Sequence, residues 1–218
     1  IKTHKGVIAN PNCSTIIMLM AAYPVMQLSR VTKIIVSTYQ ASSGAGAQAM
    51  QELKEQAMQH LSGREMESRI FPFPLAFNAF SHNSAMDVET GANQEEEKMV
   101  KETYKILHSD SLDIQATCVR IGTLRAHAES IYLETERELT REEITSALKQ
   151  FPGVQVEDDR QSNRFPMPLV ASGHDDVFVG RIRSGRSRGG QAFVNLFCCG
   201  DQILKGAALN AVQIAEKL

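Results

Sequence analysis

Cys13 is the residue whose position carries the most chemistry. It follows Asn10-Pro11-Asn12, a rigid polar entry, and opens an apolar run through Ile16, Ile17, Leu19, Met20 and Tyr23. Asn12 or Ser14 is placed to cap that run, which reads as a buried helix with Cys13 in its first turn. A thiol there faces unsatisfied backbone N–H groups and the positive end of the helix dipole. Both favour the thiolate and so make a nucleophile. An inert buried cysteine fits the same position, and position alone does not separate the two. A nucleophilic cysteine needs a base, and of the six histidines His127 is the candidate. It lies just past a strand-like stretch and close to Arg120 and Arg125. Nearby cations disfavour imidazolium and keep the ring available as a base near neutral pH. A surface histidine is the reading that spacing leaves open.

The elements that must position these groups follow from the pattern. Val31 to Tyr39 is β-branched and reads as a strand. It ends in the small-residue loop Ala41 to Gly46, which feeds a helix striped with Met50, Leu53, Ala57, Met58 and Leu61 and closed by Gly63. Phe71 to Phe80 is punctuated by proline and rich in aromatics, too apolar for an exposed loop, and is expected to meet a second copy. Asn93 with Glu96 three residues on forms a capping box, and Glu95, Glu96 and Glu97 suit a first turn. Ile114 to Ile121 reads as a strand, Thr140 with Glu143 opens another helix, and Val177–Ile182 and Ala192–Cys198 read as strands around a hairpin. A last helix is expected from about Asp201 to Lys217. Strands and helices mix without strict alternation, so the fold class is α+β with a mixed, largely antiparallel sheet packed by helices.

Composition excludes several functions. The chain has 218 residues with 23 Lys plus Arg, 25 Asp plus Glu and a formal net charge of −2, a poor fit to a protein built to hold nucleic acid or an acidic membrane. Hydrophobic residues make up 43% and charged residues 22%, which suits a folded domain rather than a disordered one. No apolar run approaches the roughly 20 residues of a membrane helix. The four cysteines show no CxxC spacing, so neither zinc nor any other metal site is expected, and the chain reads as a reduced, intracellular protein. Arg181, Arg183, Arg186 and Arg188 read as the solvated tip of a Gly/Ser hairpin, since no aromatics interleave them. The chain begins with Ile1 and carries no signal peptide, which suggests a fragment of a longer protein.

Five motifs in order then resemble one family. They are Asn10-Pro11-Asn12-Cys13-Ser14-Thr15; Ser37-Thr38-Tyr39-Gln40 with Ser43-Gly44-Ala45-Gly46; Cys118-Val119-Arg120 with His127; Val179-Gly180-Arg181-Ile182-Arg183; and the closing run from Asp201 to Glu216. Together they resemble aspartate-semialdehyde dehydrogenase, nearest its plant-like branch, over nearly all of the chain. The resemblance implies the glyceraldehyde-3-phosphate-dehydrogenase-like C-terminal domain. Residues 1–200 would be the catalytic and dimerisation domain, and 201–218 a helix that packs on an absent NADP-binding domain.

It also implies a reaction: NADPH-dependent reductive dephosphorylation of L-aspartyl-4-phosphate to L-aspartate-4-semialdehyde and phosphate, toward Lys, Thr, Met and Ile. Cys13 would form a thioester, Gln40 would orient it, and His127 would be the general acid/base. Asn12, Glu95, Lys98 and Arg120 would bind substrate: Glu95 the ammonium, Lys98 the phosphate, and the Arg120 fork the carboxylate. Ser43, Gly44 and Gln202 would meet the nicotinamide end of NADP(H). The resemblance implies a homodimer or tetramer that binds neither nucleic acid nor membrane, in the cytoplasm, or in a plastid if the source is a plant or alga. One departure is Ile121-Gly122-Thr123, where the family usually has a Val-Pro-Val-like stretch; glycine is expected to loosen the segment that aims His127. The competing readings are an N-acetylglutamyl-phosphate reductase-like enzyme, whose substrate has no ammonium for Glu95, and a non-catalytic dimerisation or regulatory fragment.

Overall fold

The computed structural model describes residues 5–218, so His4 lies outside the described residues. Helix α1 (Cys13–Met26) is apolar around its whole circumference, and Ile17, Met18, Ala21, Ala22 and Val25 are completely buried. A helix of that composition must lie inside the molecule. Burying each large side chain contributes about 1.5–3 kcal/mol. The remaining elements are β1 (Val31–Gln40), a 3-10 turn (Ser42–Ala45), α2 (Ala47–Leu61), β2 (Ala79–Ser81), α3 (Gln94–Leu107), β3 (Asp113–Ile121), β4 (His127–Thr135), α4 (Arg141–Gln150), β5 (Val154–Val156), α5 (Pro168–Ala171), β6 (Val177–Arg186), β7 (Ala192–Gly200), a π-helical turn (Leu204–Ala208) and α6 (Leu209–Ala215).

The strands form one seven-stranded sheet in the order β2-β3-β1-β4-β7-β6-β5. The pairs β1/β3 and β5/β6 are parallel and the other pairs antiparallel, so the sheet is mixed and largely antiparallel as expected. Helices α1, α3 and α4 pack on the same core, where Ile17, Met99, Ile144 and Leu148 meet Ile34, Ile131, Val179 and Leu196 of the strands. The opposite face of the sheet shows partly exposed Ile35, Tyr39, Tyr132, Phe193 and Phe197, with Tyr132 stacked on Phe193 at 5.9 Å.

Four elements, β2, β4, β5 and α5, are absent from the sequence reading. Residues 127–135 alternate buried and open positions as a half-buried strand should, but buried His127 and Glu129 put polar residues on its inner side. The expected helix over 201–217 is instead a turn, the π-helical turn and α6. Both capping boxes are present, Asn93 with Glu96 and Thr140 with Glu143.

The Phe71–Phe80 segment folds mainly onto α2. Buried Glu52 accepts from the N–H groups of Arg69, Ile70 and Phe71, and buried Gln56 from those of Leu75 and Ala76. Phe71, Leu75 and Ala76 then form a small second core with Ala49 and Leu53, and Phe73 and Phe77 remain exposed.

Candidate active site

Two neighbouring strand ends and a helix N-terminus converge. Gln40 of β1 pairs in register with Arg120 of β3, and His127 of β4 with Gly200 of β7. The β1/β4 register, Tyr39 opposite Ala128, places Gln40 beside His127. Arg120, Gln40, His127 and Gly200 thus form one row across the sheet, directed at the face that carries α1. Gly200 leaves room for that helix, because a Cβ there would stand 2.9 Å from the Ile17 side chain.

Cys13 opens α1, as its position predicts, but the groups expected to activate it are engaged elsewhere. The Asn12 side chain accepts from the N–H groups of both Ser14 and Thr15. Burial of the thiol pushes its pKa up to about 12, and the negative charge of Glu95 adds to the rise. The resting group is therefore a thiol, and the expected thiolate at the helix end is not the resting state. Desolvation outweighs the helix dipole at this depth.

Glu95, the first buried residue of α3, accepts from Asn12 Nδ2 at 2.9 Å and Gln40 Nε2 at 3.3 Å. The same Gln40 amide donates to Ser14 Oγ at 2.9 Å and Thr38 Oγ1 at 3.3 Å. Gln40 is thereby fixed against the first turn of α1. Among the described residues Glu95 has no cationic partner within 4 Å, although it is only 5% exposed. Lys98, one helical turn on, is exposed.

Arg120 is 2% exposed and likewise has no carboxylate within 4 Å among the described residues. Its fork is not open. Nη1 donates to the Ala41 carbonyl at 2.7 Å, Nη2 to Asn83 Oδ1 and His82 Nε2 at 2.8 Å each, and Nε to Asn83 Oδ1 at 3.3 Å. Burial and the Arg120 charge hold the His82 pKa down, at about 4, so the ring is a neutral acceptor. His82 and Asn83 sit in an irregular strap after β2, and no pattern in the sequence marks them.

His127 is completely buried; it lies just past β3, as expected, and begins β4. Its Nδ1 accepts from the Ala41 N–H at 3.1 Å, and Nε2 has no partner among the described residues. Burial, then Arg120 and His82, push its pKa well below the ordinary range. The neutral ring is as expected, and the bond from Ala41 places its one proton on Nε2.

Gly44 lies directly over this pair. A Cβ there would come within 3.1 Å of Arg120 Nη1 and 3.2 Å of His127 Cε1. Gln202 is buried: its Oε1 accepts from the Ala126 N–H at 3.0 Å and its Nε2 donates to Ser43 Oγ. Ala126 has a left-handed φ of 69°, a strained state for a residue with a Cβ, and Gln202 secures it just before His127. Asp201, fully buried, pairs with Arg125 at 2.7 Å and accepts from the Gly173 N–H. Gly206 of the π-helical turn packs on Cys13, where a Cβ would meet the Cys13 Cβ at 3.0 Å. Residues 201–206 therefore build the site wall. Gly122 is not loose either: a Cβ there would stand 2.9 Å from the Leu75 carbonyl, so the glycine permits a close crossing of backbones.

The structure thus gathers Asn12, Cys13, Gln40, Glu95, Arg120, His127, Gly44, Ser43 and Gln202 at one locus, with Lys98 at its rim. A half-buried thiol, a carboxylate and a guanidinium each without an opposite charge within 4 Å are together suited to hold a zwitterion and attack an electrophile beside it.

Comparison with known proteins shows the family. The semialdehyde dehydrogenase dimerisation domain profile matches residues 23–205. Aspartate-semialdehyde dehydrogenase of Synechocystis is 50% identical over 217 residues, covering 100% of this chain and 63% of that protein. The Aquifex aeolicus enzyme is 48% identical, covering 98% and 62%. Aspartate semialdehyde dehydrogenase II of Vibrio cholerae, solved in complex with ASA, superposes with a TM-score of 0.89 at 38% identity, covering 96% of this chain and 61% of that one. The chain spans a little under two thirds of these relatives. It belongs to the semialdehyde dehydrogenase dimerisation-domain family.

Proposed function

We propose that this chain is the catalytic and dimer-forming part of an aspartate-semialdehyde dehydrogenase, which converts L-aspartyl-4-phosphate to the semialdehyde and phosphate. The carrying observation is the pair of buried, unpaired opposite charges, Glu95 and Arg120, on either side of Gln40 and close to Cys13. Leaving each without a partner costs several kcal/mol unless a ligand supplies one. A substrate with a free ammonium and a carboxylate satisfies both. An acetylated amine would leave Glu95 unpaired, which disfavours the N-acetylglutamyl-phosphate reading.

In this reading Glu95 and Asn12 hold the ammonium end and Arg120 the carboxylate, which displaces Asn83 from the guanidinium. Lys98 receives the phosphate. Cys13 attacks the acyl carbon, and Gln40 fixes the turn that carries it. Pairing of the ammonium with Glu95 also removes one of the charges that oppose thiolate formation, so the nucleophile is favoured when substrate is in place. NADPH supplies the hydride that reduces the thioester. Exposed Gly44 leaves a flat approach over His127 for the nicotinamide end. Ser43 and Gln202 brace that loop through their mutual bond. The chain alone is proposed not to complete turnover, since dinucleotide affinity comes mainly from a Gly-rich turn at a helix N-terminus in a separate domain.

The dimer contact is proposed on the open sheet face, where Ile35, Tyr39, Tyr132, Phe193 and Phe197 lie together. No helix among the described residues is long and apolar enough to cross a membrane, and a cytoplasmic setting is proposed. The relatives named above are bacterial, so the plant-like branch rests on the sequence motifs alone and nothing favours a plastid. The test is NADP-dependent phosphorylation of aspartate semialdehyde by an enzyme joining this chain to a dinucleotide-binding domain. Turnover with the free amino acid and none with its N-acetylated analogue supports the reading; the reverse preference contradicts it.

A further inference from the structure

We infer that β6 carries a second binding site, a pocket for an oxyanion. Arg181, Arg183 and Ser130 meet the phosphate or carboxylate of the ligand, and Phe165 and Phe197 flank its apolar body. The site lies on the open face of the sheet. Ile182, between the two arginines, is completely buried in the core that α1 shares, while Arg181 and Arg183 are exposed on the outer side. The sequence reads both arginines as the solvated tip of a hairpin, but they lie inside β6.

The backbone around them is built for this placement. Gly180 pairs with Phe197 of β7 and Arg183 with Asn195, and the register breaks between them as a bulge. The 157–166 segment crosses β6 there so closely that a Cβ on Gly180 would stand 2.0 Å from the Glu157 carbonyl oxygen and 2.8 Å from Pro166 Cδ. Arg181 takes a left-handed φ of 53°, a strained state for a residue with a Cβ. Its neighbour holds it there: the Ile182 N–H donates to Asp158 Oδ1 at 3.3 Å, and the Ile182 carbonyl accepts from Arg160 Nη2 at 2.6 Å. Bulges re-aim side chains, and this one sets the Arg181 guanidinium over the Phe165 ring, 5.0 Å from its centroid.

The acids nearby are engaged by other cations. Asp158 accepts from Arg141 Nε at 3.2 Å and Nη2 at 2.7 Å, and Glu157 accepts from Arg164 at 2.6 Å. Arg160, Arg181 and Arg183 have no carboxylate within 4 Å among the described residues. Burial, then the charge of Arg181, lowers the Arg183 pKa; Asp158 opposes the fall and Arg160 adds to it. An anion between the guanidinium groups offsets their repulsion, and their forks suit the geometry of phosphate and carboxylate. Arg181, Arg183 and Ser130 border a cavity of about 250 Å3, walled also by Phe165, Leu196 and Phe197. A few polar groups on a mostly apolar lining select an oxyanion with a flat or aliphatic body. Phe197 belongs to the face proposed for the dimer contact, so the ligand sits on the β6 side of that contact.

The test is calorimetric titration of the 218-residue protein with phenyl phosphate and with inorganic phosphate. Saturable binding of both is expected, tighter for phenyl phosphate. Arg183→Gln, which leaves the bulge residue in place, is expected to bind at least about tenfold more weakly. No saturable binding to the wild-type protein, or unchanged affinity in Arg183→Gln, overturns the proposal. Binding that survives Arg183→Gln but is lost in Lys98→Gln puts the anion in the candidate active site and overturns it as well. A wild-type protein that binds neither phosphate, with a dimer weakened by Arg183→Gln in sedimentation equilibrium, gives the pocket to a carboxylate of a second copy and is equally contrary. None of these readouts depends on turnover, so the reading of Cys13 stands or falls separately.

Discussion

Two adjacent rows of the same sheet differ sharply in what they do. The upper row is Arg120, Gln40, His127 and Gly200; the lower row, two residues deeper, is Cys118, Thr38, Glu129 and Cys198. Both are buried and both carry groups that could react. In the upper row the side chains bond to α1, α3, the strap after β2 and loop backbone, and His127 Nε2 has no partner among the described residues. In the lower row Glu129 has no partner for either oxygen among the described residues, and burial raises the pKa of every ionisable group. Reactivity here follows from access and partners, not from residue type.

The largest expected effect comes from the thiol that the upper row faces on α1. Cys13→Ser, in the complete enzyme, is expected to abolish turnover by several orders of magnitude, because a buried hydroxyl has no base to ionise it. The corresponding change in the lower row, Cys198→Ser, should leave kcat within a few-fold. Steady-state kinetics of the two variants compare the rows directly, and similar losses in both would erase the distinction.

Arg120→Lys comes next. Lysine keeps the charge but cannot reach Asn83, Ala41 and a carboxylate together. A loss of about 1.5–3 kcal/mol in kcat/KM is expected. Gly44→Ala should cost activity through crowding of Arg120 and His127, with about 1–3 kcal/mol lost in stability unless the neighbours shift. Chemical denaturation beside kinetics separates the two effects.

The sequence made much of the site around the upper row legible because it lies where patterned elements begin and end. Cys13 follows a cap, Gln40 closes a β-branched run and Glu95 sits in a capping box. The rest was hidden for physical reasons. The strand that His127 opens was missed because buried Glu129 spoils the apolar side of β4. His82 and Asn83, which take up most of the Arg120 fork, lie in a strap with no periodicity. The thiol was expected to be activated because its helix position shows in sequence, whereas the depth of burial that outweighs it does not. Phe71–Phe80 looked like an interface because Glu52 and Gln56, which pin it to α2, read as surface residues.

The smallest effect concerns the lower row alone. Burial holds the Glu129 carboxyl protonated in the fold, while the unfolded chain ionises it near the usual carboxylate value. The unfolded state therefore binds fewer protons, and stability falls as pH rises from about 4.3 toward the raised folded value, by about 1.4 kcal/mol per pH unit. Glu129→Gln removes that slope. Its stability relative to wild type should improve as pH rises above about 4.3 toward the raised folded value, measured by denaturant midpoints. A constant difference across that range would mean that Glu129 is ionised or solvated in the fold.

The central claim is that Cys13 is the group acylated by an amino-acid acyl phosphate. The direct measurement mixes the 218-residue protein with aspartyl phosphate in the absence of any reductant, quenches with acid and maps the adduct by mass spectrometry while following phosphate release. An aspartyl thioester on Cys13, with phosphate released in equal amount and none formed by Cys13→Ser, is the predicted result. An adduct on Cys118, Cys198 or Cys199, or phosphate release that continues unchanged in Cys13→Ser, would contradict it.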